Sequence, residues 1–140
     1  MKLDGFNLVV SDMAASVAFF ELLGLDVPST MPEFMDHHRT VVVDGGTDFD
    51  LDSAEFAEMW NPGWPGGAGG PMGVLGFRVD SRDEVDAVAT RMAAAGHALQ
   101  REPADAFWGS RYAIVEDPDG NAIGIMSPPD EAFRSAPPIP

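Results

Sequence analysis

Apolar residues recur along this chain in two rhythms, alternation and helical spacing, and the order of the rhythms is repeated once. "FNLVVS" (Phe6–Ser11) is a β-rich run. It leads into "DMAASVAFFELLG", where Ala14, Val17, Ala18 and Leu22 fall near a helical stripe and Gly24 is placed to close the helix. A short "LDV", the loop "PSTMPEFMDH", the strand "HRTVVVD" (His38–Asp44), the turn "GG" and the alternating strand "TDFDLDS" (Thr47–Ser53) follow. The first half therefore reads β-α-β-β-β.

Ala54 to Trp60 suits a short helix, and Asn61–Gly73 then packs six glycines and three prolines into 13 residues, the composition of a connector. Beyond it the order returns. The strand "VLGFRVD" (Val74–Asp80) precedes the helix "SRDEVDAVATRMAAAG", capped at Ser81 with Glu84 three residues on. A short "HALQ" and two strands, "RYAIVE" and "NAIGIM", close the half around "DPDG". The repeat distance of about 70 residues predicts two copies of one module rather than a solenoid. The predicted class is α+β: a single domain over 1–128 built of two βαβββ modules, at about 1–53 and 73–128, with a connector at 54–72. The proline-rich tail, 129–140, is expected to lie loosely over the surface.

The last hairpin carries an oddity, Gly124 in the middle of a strand, where glycine costs stability and usually marks a close approach. Pairing Glu116 with Asn121 across "DPDG" sets Ala113 opposite Gly124 and Tyr112 opposite Ile125. Ala113, Ala122 and Gly124 then form a bare patch, read either as room for a guest or as a bulge or packing surface. In "TDFDLDS" the same alternation sends Phe49 and Leu51 to the helix side, and Asp48, Asp50 and Asp52 to the other.

Composition narrows the function classes. A chain of 140 residues with no cysteine has neither disulfides nor thiolate chemistry. With 8 basic and 23 acidic residues its formal charge is −15, which repels nucleic acid and anionic lipid; it reads either as a well-solvated acidic surface or as a bias toward cationic small molecules. No apolar run is long enough for a membrane span, and the start lacks the layout of a signal peptide, so the expected location is cytoplasmic.

The repeated module, the opening "NLVVSDMAASVAFFELLGL" and above all "FWGSRYAIVEDPDGNAIGI" resemble the vicinal oxygen chelate superfamily, which includes glyoxalase I, bleomycin-resistance proteins and extradiol dioxygenases. The likeness runs to about Pro128. It implies two half-shells of four strands, forming a curled mixed sheet around a cavity. Metal-dependent members place His, Gln or Glu ligands at four equivalent positions, which fall here on Gly5, Asp50, Val74 and Gly124. Asp50 alone has a donor, so the resemblance implies neither metal nor other cofactor.

Within the superfamily the chain is similar to metal-free antibiotic-binding proteins of the mitomycin- and bleomycin-binding kind. The likeness lies in "FWGSRYAIVEDPDGN" and in a histidine six residues before "DGG". The residues concerned, Trp108 and His38, would stack a flat ligand; taken singly, each also reads as an ordinary anchor or loop residue. Asp50 and Asn7 would add polar contacts, Ala113, Gly124 and Met126 would floor the cavity, and Phe34, Trp64 and, after it, Trp60 would form an adaptable lid. The expectation is a homodimer that sequesters a planar, amine-bearing natural product without turnover, partnered by neither nucleic acid nor membrane. The alternative is a metal-independent isomerase, cyclase or lyase with His38 and Asp50 as general acid and base. A carrier or accessory subunit is a third reading.

Overall fold

A computed structural model of the protein describes residues 5–61, 66 and 74–136; the sequence-predicted lid residue Trp64 lies outside them, as does the side chain of Trp60. The chain divides into two compact units, Met1–Gly70 and Pro71–Pro140. Among the described residues no helix is long and apolar enough to cross a membrane.

The first unit contains β1 (Gly5–Val10), α1 (Met13–Leu23), β2 (His38–Val41), β3 (Asp48–Ser53) and α2 (Ala54–Trp60). Its sheet has the order β1-β3-β2, with β1 parallel and β2 antiparallel to β3. The predicted strand "LDV" is reduced to a single bridge, Asp26 to Val42. Alternation works as the sequence implies: Phe49 and Leu51 are buried with Leu8 and Val41 on one face. On the other face Asp48, Asp50 and Asp52 align with Gly5, Asn7 and Val9.

Helix α1 starts where Asp12 accepts a hydrogen bond from the Ala15 amide at 2.9 Å. It ends at Gly24, whose amide returns to Glu21 at 3.0 Å. Its buried face is not the predicted one: Met13, Ser16, Phe19, Phe20 and Leu23 point inward, while Ala14 and Ala18 are exposed and Val17 and Leu22 are half-buried. Volume explains the difference. Burying a phenylalanine gains about 1.5–3 kcal/mol, several times what an alanine offers, so the Phe pair sets the rotation. Phe19 and Phe20 meet edge to face at 5.1 Å, and Phe20 meets Phe49 likewise at 5.3 Å. Arg39 shares the buried face of β2. Its guanidinium donates to the carbonyls of Val27 (2.8 Å) and Pro28 (3.0 Å), which pins the segment that follows α1.

The second unit contains β4 (Val74–Arg78), α3 (Arg82–Ala94), β5 (Leu99–Asp105), β6 (Arg111–Glu116) and β7 (Ala122–Met126) in the sheet order β4-β7-β6-β5. The capping residues foreseen for α3 are in place: Ser81 Oγ accepts from the Glu84 amide at 3.1 Å, and Glu84 accepts from the Asp80 amide at 2.9 Å. Val85, Val88, Ala89 and Met92 form its buried stripe, and the core they join includes Ala113, Val115, Ile123 and Ile125.

The β6–β7 register is one residue from the expected one, with Glu116 opposite Ala122, Ile114 opposite Gly124 and Ala113 opposite Ile125. The turn is the cause. Asp117 Oδ1 accepts from the amides of Asp119 (2.9 Å) and Asn121 (2.7 Å), and its Oδ2 accepts from the Asn121 side chain (2.8 Å). Asp117 is thereby drawn opposite Asn121, and Pro118–Gly120 form the loop. Because side chains alternate, the slip moves Ala113 off the predicted cavity face and into the core.

As far as residue 136 the tail is tied down rather than loose. The Asp130 amide donates to Gly109 (3.1 Å), the Ser135 amide to Phe107 (3.0 Å), and Arg134 bridges Trp108. Gly109 permits this crossing, since a Cβ there would stand 2.4 Å from the Asp130 carbonyl oxygen.

Candidate functional site

The other face of the first sheet, opposite Phe49 and Leu51, carries a polar cluster. His38 at the start of β2 lies opposite Asp52 on β3, and its Nδ1 donates to Asp52 Oδ1 at 2.7 Å. Asp52 is fully buried, and its second oxygen accepts from Asn7 of β1 at 2.8 Å. The carboxylate accepts from Nδ1, so Nε2 is the nitrogen left for a guest; it lies 3.9 Å from Asp50. Asp50 is held in turn by the Thr40 hydroxyl at 2.7 Å. One side of the imidazole rests on Phe56 of α2, ring centres 5.1 Å apart, and Phe34 meets Phe56 edge to face at 6.1 Å. Ser53 ends β3 and caps α2, accepting from the Phe56 amide at 3.2 Å. His37 Nδ1 lies 3.1 Å from the same hydroxyl, on the side away from His38. The Glu55 carboxyl is held below its usual range, first by its own backbone amide and then by Ser53.

The second unit carries an aromatic site. Tyr112, Ile114 and Glu116 of β6 share a face with Ala122, Gly124 and Met126 of β7 and with Val74, Gly76 and Arg78 of β4. Trp108 stands at the edge of this face, its indole N–H donating to Met126 Sδ at 3.3 Å and its ring meeting Tyr112 at 5.6 Å and Phe107 at 5.0 Å. Beside it is a cavity of about 470 Å³ lined by Arg101, Asp105, Phe107, Trp108, Tyr112 and Ile114, with the tail at its rim.

Of the sequence-predicted residues, the first unit brings together Asn7, Phe34, His38 and Asp50, and the second brings together Trp108, Gly124 and Met126. Ala113 belongs to neither cluster, for the register reason given above. Gly124 is not bare either: a Cβ on it would meet Tyr112 and Val74 side-chain atoms at 2.8–3.0 Å, whereas one on its partner Gly76 would meet nothing within 4 Å. The open position on this sheet is Gly76. Three participants were not singled out from the sequence. Asp52 was indistinguishable from its two strand neighbours by alternation alone, Tyr112 was displaced by the register slip, and Arg101 lay just beyond the predicted "HALQ", which β5 extends, without any motif.

The metal of the chelating relatives does not fit these residues. Of the four positions that the resemblance implies, Gly5, Val74 and Gly124 supply no donor, and among the described residues no group of three His, Cys, Asp or Glu is arranged to hold an ion.

The model of the Glyoxalase/Bleomycin resistance protein/Dioxygenase superfamily matches residues 2–125. No curated protein matches the sequence. Among solved structures, a glyoxalase-related enzyme from Fulvimarina pelagi is similar at 22% identity, with 96% of each chain covered and a TM-score of 0.77. A glyoxalase/bleomycin resistance protein/dioxygenase family enzyme from Burkholderia phytofirmans is 22% identical over 91% of this chain and 98% of its own, TM-score 0.76. A lactoylglutathione lyase from Agrobacterium tumefaciens is 21% identical over 90% and 92%, TM-score 0.65. At these identities the likeness is one of fold.

Proposed function

The chain belongs to the glyoxalase/bleomycin resistance protein/dioxygenase superfamily, and from that premise we propose that it is a metal-independent binding protein. It takes up a planar organic molecule such as an antibiotic and holds it unchanged, as mitomycin- and bleomycin-binding resistance proteins do. It acts as a cytoplasmic homodimer. The observation that carries this reading is the cavity beside Trp108 and Tyr112. Its volume of about 470 Å³ suits a small organic molecule, and its walls are aromatic rings already fixed by one another and by Met126. Rings held in place lose little freedom on binding, and each stacked pair adds about 0.5–1.5 kcal/mol beyond area burial.

The test is a thermal-shift screen against flat antibiotics, followed by titration of the strongest binder and mass analysis of the recovered compound. Trp108→Ala is expected to weaken binding by about tenfold. Unchanged affinity in that variant would remove the aromatic wall from the proposal.

The His38–Asp52 pair favours a second reading, an enzyme of the same fold. A histidine whose Nδ1 is held by a buried carboxylate presents Nε2 as a base of fixed direction, suited to moving a proton in an isomerisation or elimination. Incubation of a bound compound with the protein distinguishes the two. A new mass or isomer, abolished in His38→Gln, supports the enzyme; an unchanged compound supports sequestration.

A further inference from the structure

The strong negative charge of the chain suggests a cationic guest, but the charges around the aromatic cavity balance differently. Among the described residues Asp105 is the one acidic residue of its lining. It accepts from Arg82 and, at 3.2 Å, from Arg111, so two guanidinium groups answer its charge. Arg111 is bound also to Asp86 at 2.9 Å; that bond, with the one to Asp105, pushes its pKa further up.

Arg101 is in the opposite situation. Its Nε is buried and has no hydrogen-bond partner among the described residues. Among the described residues no carboxylate pairs with its guanidinium, whose contact is the face of Tyr112 with Cζ 5.7 Å from the ring centre. Three other arginines of the unit are spent on protein oxygens: Arg78 donates to the Ser127 carbonyl, Arg82 also to the Gly109 carbonyl, and Arg134 pairs with Glu131. Leaving a part-buried guanidinium N–H unmatched is unfavourable, and the planar fork is the group best shaped to accept a carboxylate edge-on.

We infer that the cavity of the second unit takes a planar aromatic carboxylate, with the ring against Trp108 and Tyr112 and the carboxylate on the guanidinium of Arg101. The inference rests on the binding reading proposed above and names the chemical class of its ligand. It reverses the expectation drawn from net charge. Long-range repulsion from an acidic surface slows the approach of an anion, but a part-buried guanidinium lining the cavity decides its residence.

Calorimetric titration of the full chain with 2-naphthoate, with the uncharged isostere 2-naphthamide and with 2-naphthylmethylammonium tests this. The carboxylate is expected to bind at least about tenfold more tightly than the amide, and the ammonium more weakly than either. In Arg101→Gln the carboxylate should fall to within about twofold of the amide; Arg101→Lys should keep part of the preference. Equal binding of carboxylate and amide to the unaltered protein overturns the inference and leaves the binding reading standing. That comparison needs no variant to fold. Failure of all three compounds to bind overturns both.

Discussion

The hydroxyl of Tyr112 lies 2.8 Å from the place a Cβ on Gly124 would take. The glycine is therefore the floor on which the tyrosine ring rests. The position that the resemblance matches to a metal ligand is covered here by an aromatic side chain from the neighbouring strand. Gly124→Ala is expected to destabilise the protein by about 1–3 kcal/mol, through overpacking against Tyr112 and Val74. In a Tyr112→Ala background the same change should cost less, with a coupling of about 1 kcal/mol in a double-mutant cycle measured by urea unfolding. Additive effects would mean that the ring moves aside freely.

Asp52 receives two side-chain donors inside the first unit. Replacing it with alanine strands His38 Nδ1 and the Asn7 amide; because both are partly reachable by water, the expected loss is about 1–3 kcal/mol in chemical denaturation. Asp52→Asn keeps the shape and one acceptor and should lose less than half of that.

Gly109 adopts φ +95° and faces the tail backbone at a distance no side chain tolerates. In Gly109→Ala either the loop strains or the tail lets go, and letting go is cheaper because the tail is exposed. Trypsin cleavage after Arg134 is expected to accelerate about tenfold, as a shift of about 1.4 kcal/mol in the local opening equilibrium implies.

The Glu55 carboxyl is held below its usual value, so the folded state binds its proton less readily than the unfolded chain does. The stability it contributes is complete above the ordinary carboxyl pKa and is lost as the pH falls through the lowered one. Glu55→Gln should therefore melt below the parent protein near neutrality, and the gap should close as the solution is acidified. A gap independent of pH would assign the effect to helix propensity instead.

The sequence made the repeated module, the two capping residues at the N-terminus of α3 and the sidedness of β3 legible, because each depends on residues within a few positions of one another. Decisions settled at a distance were not legible. Which stripe of α1 faces inward depends on Phe49, more than two dozen positions away, and the β6–β7 register depends on how one carboxylate folds back on its own turn. The candidate residues follow the same division. His38, Asn7, Asp50, Trp108 and Met126 stand on faces that alternation and motif could indicate. Asp52 and Arg101 became distinctive through burial and through which partners they have or lack, and no spacing rule reports either.

The Asp117 turn has a kinetic consequence. The β6–β7 hairpin needs only Pro118–Gly120 to close, whereas the parallel pairs β1–β3 and β4–β7 must wait for whole intervening helices and strands to be spanned. A chain folding from its second unit would start at this turn. Asp117→Ala is thus expected to slow refolding by nearly the factor by which it lowers stability, with a φ-value well above those of substitutions in β1. The stretch most characteristic of the family would then double as the place where order first spreads.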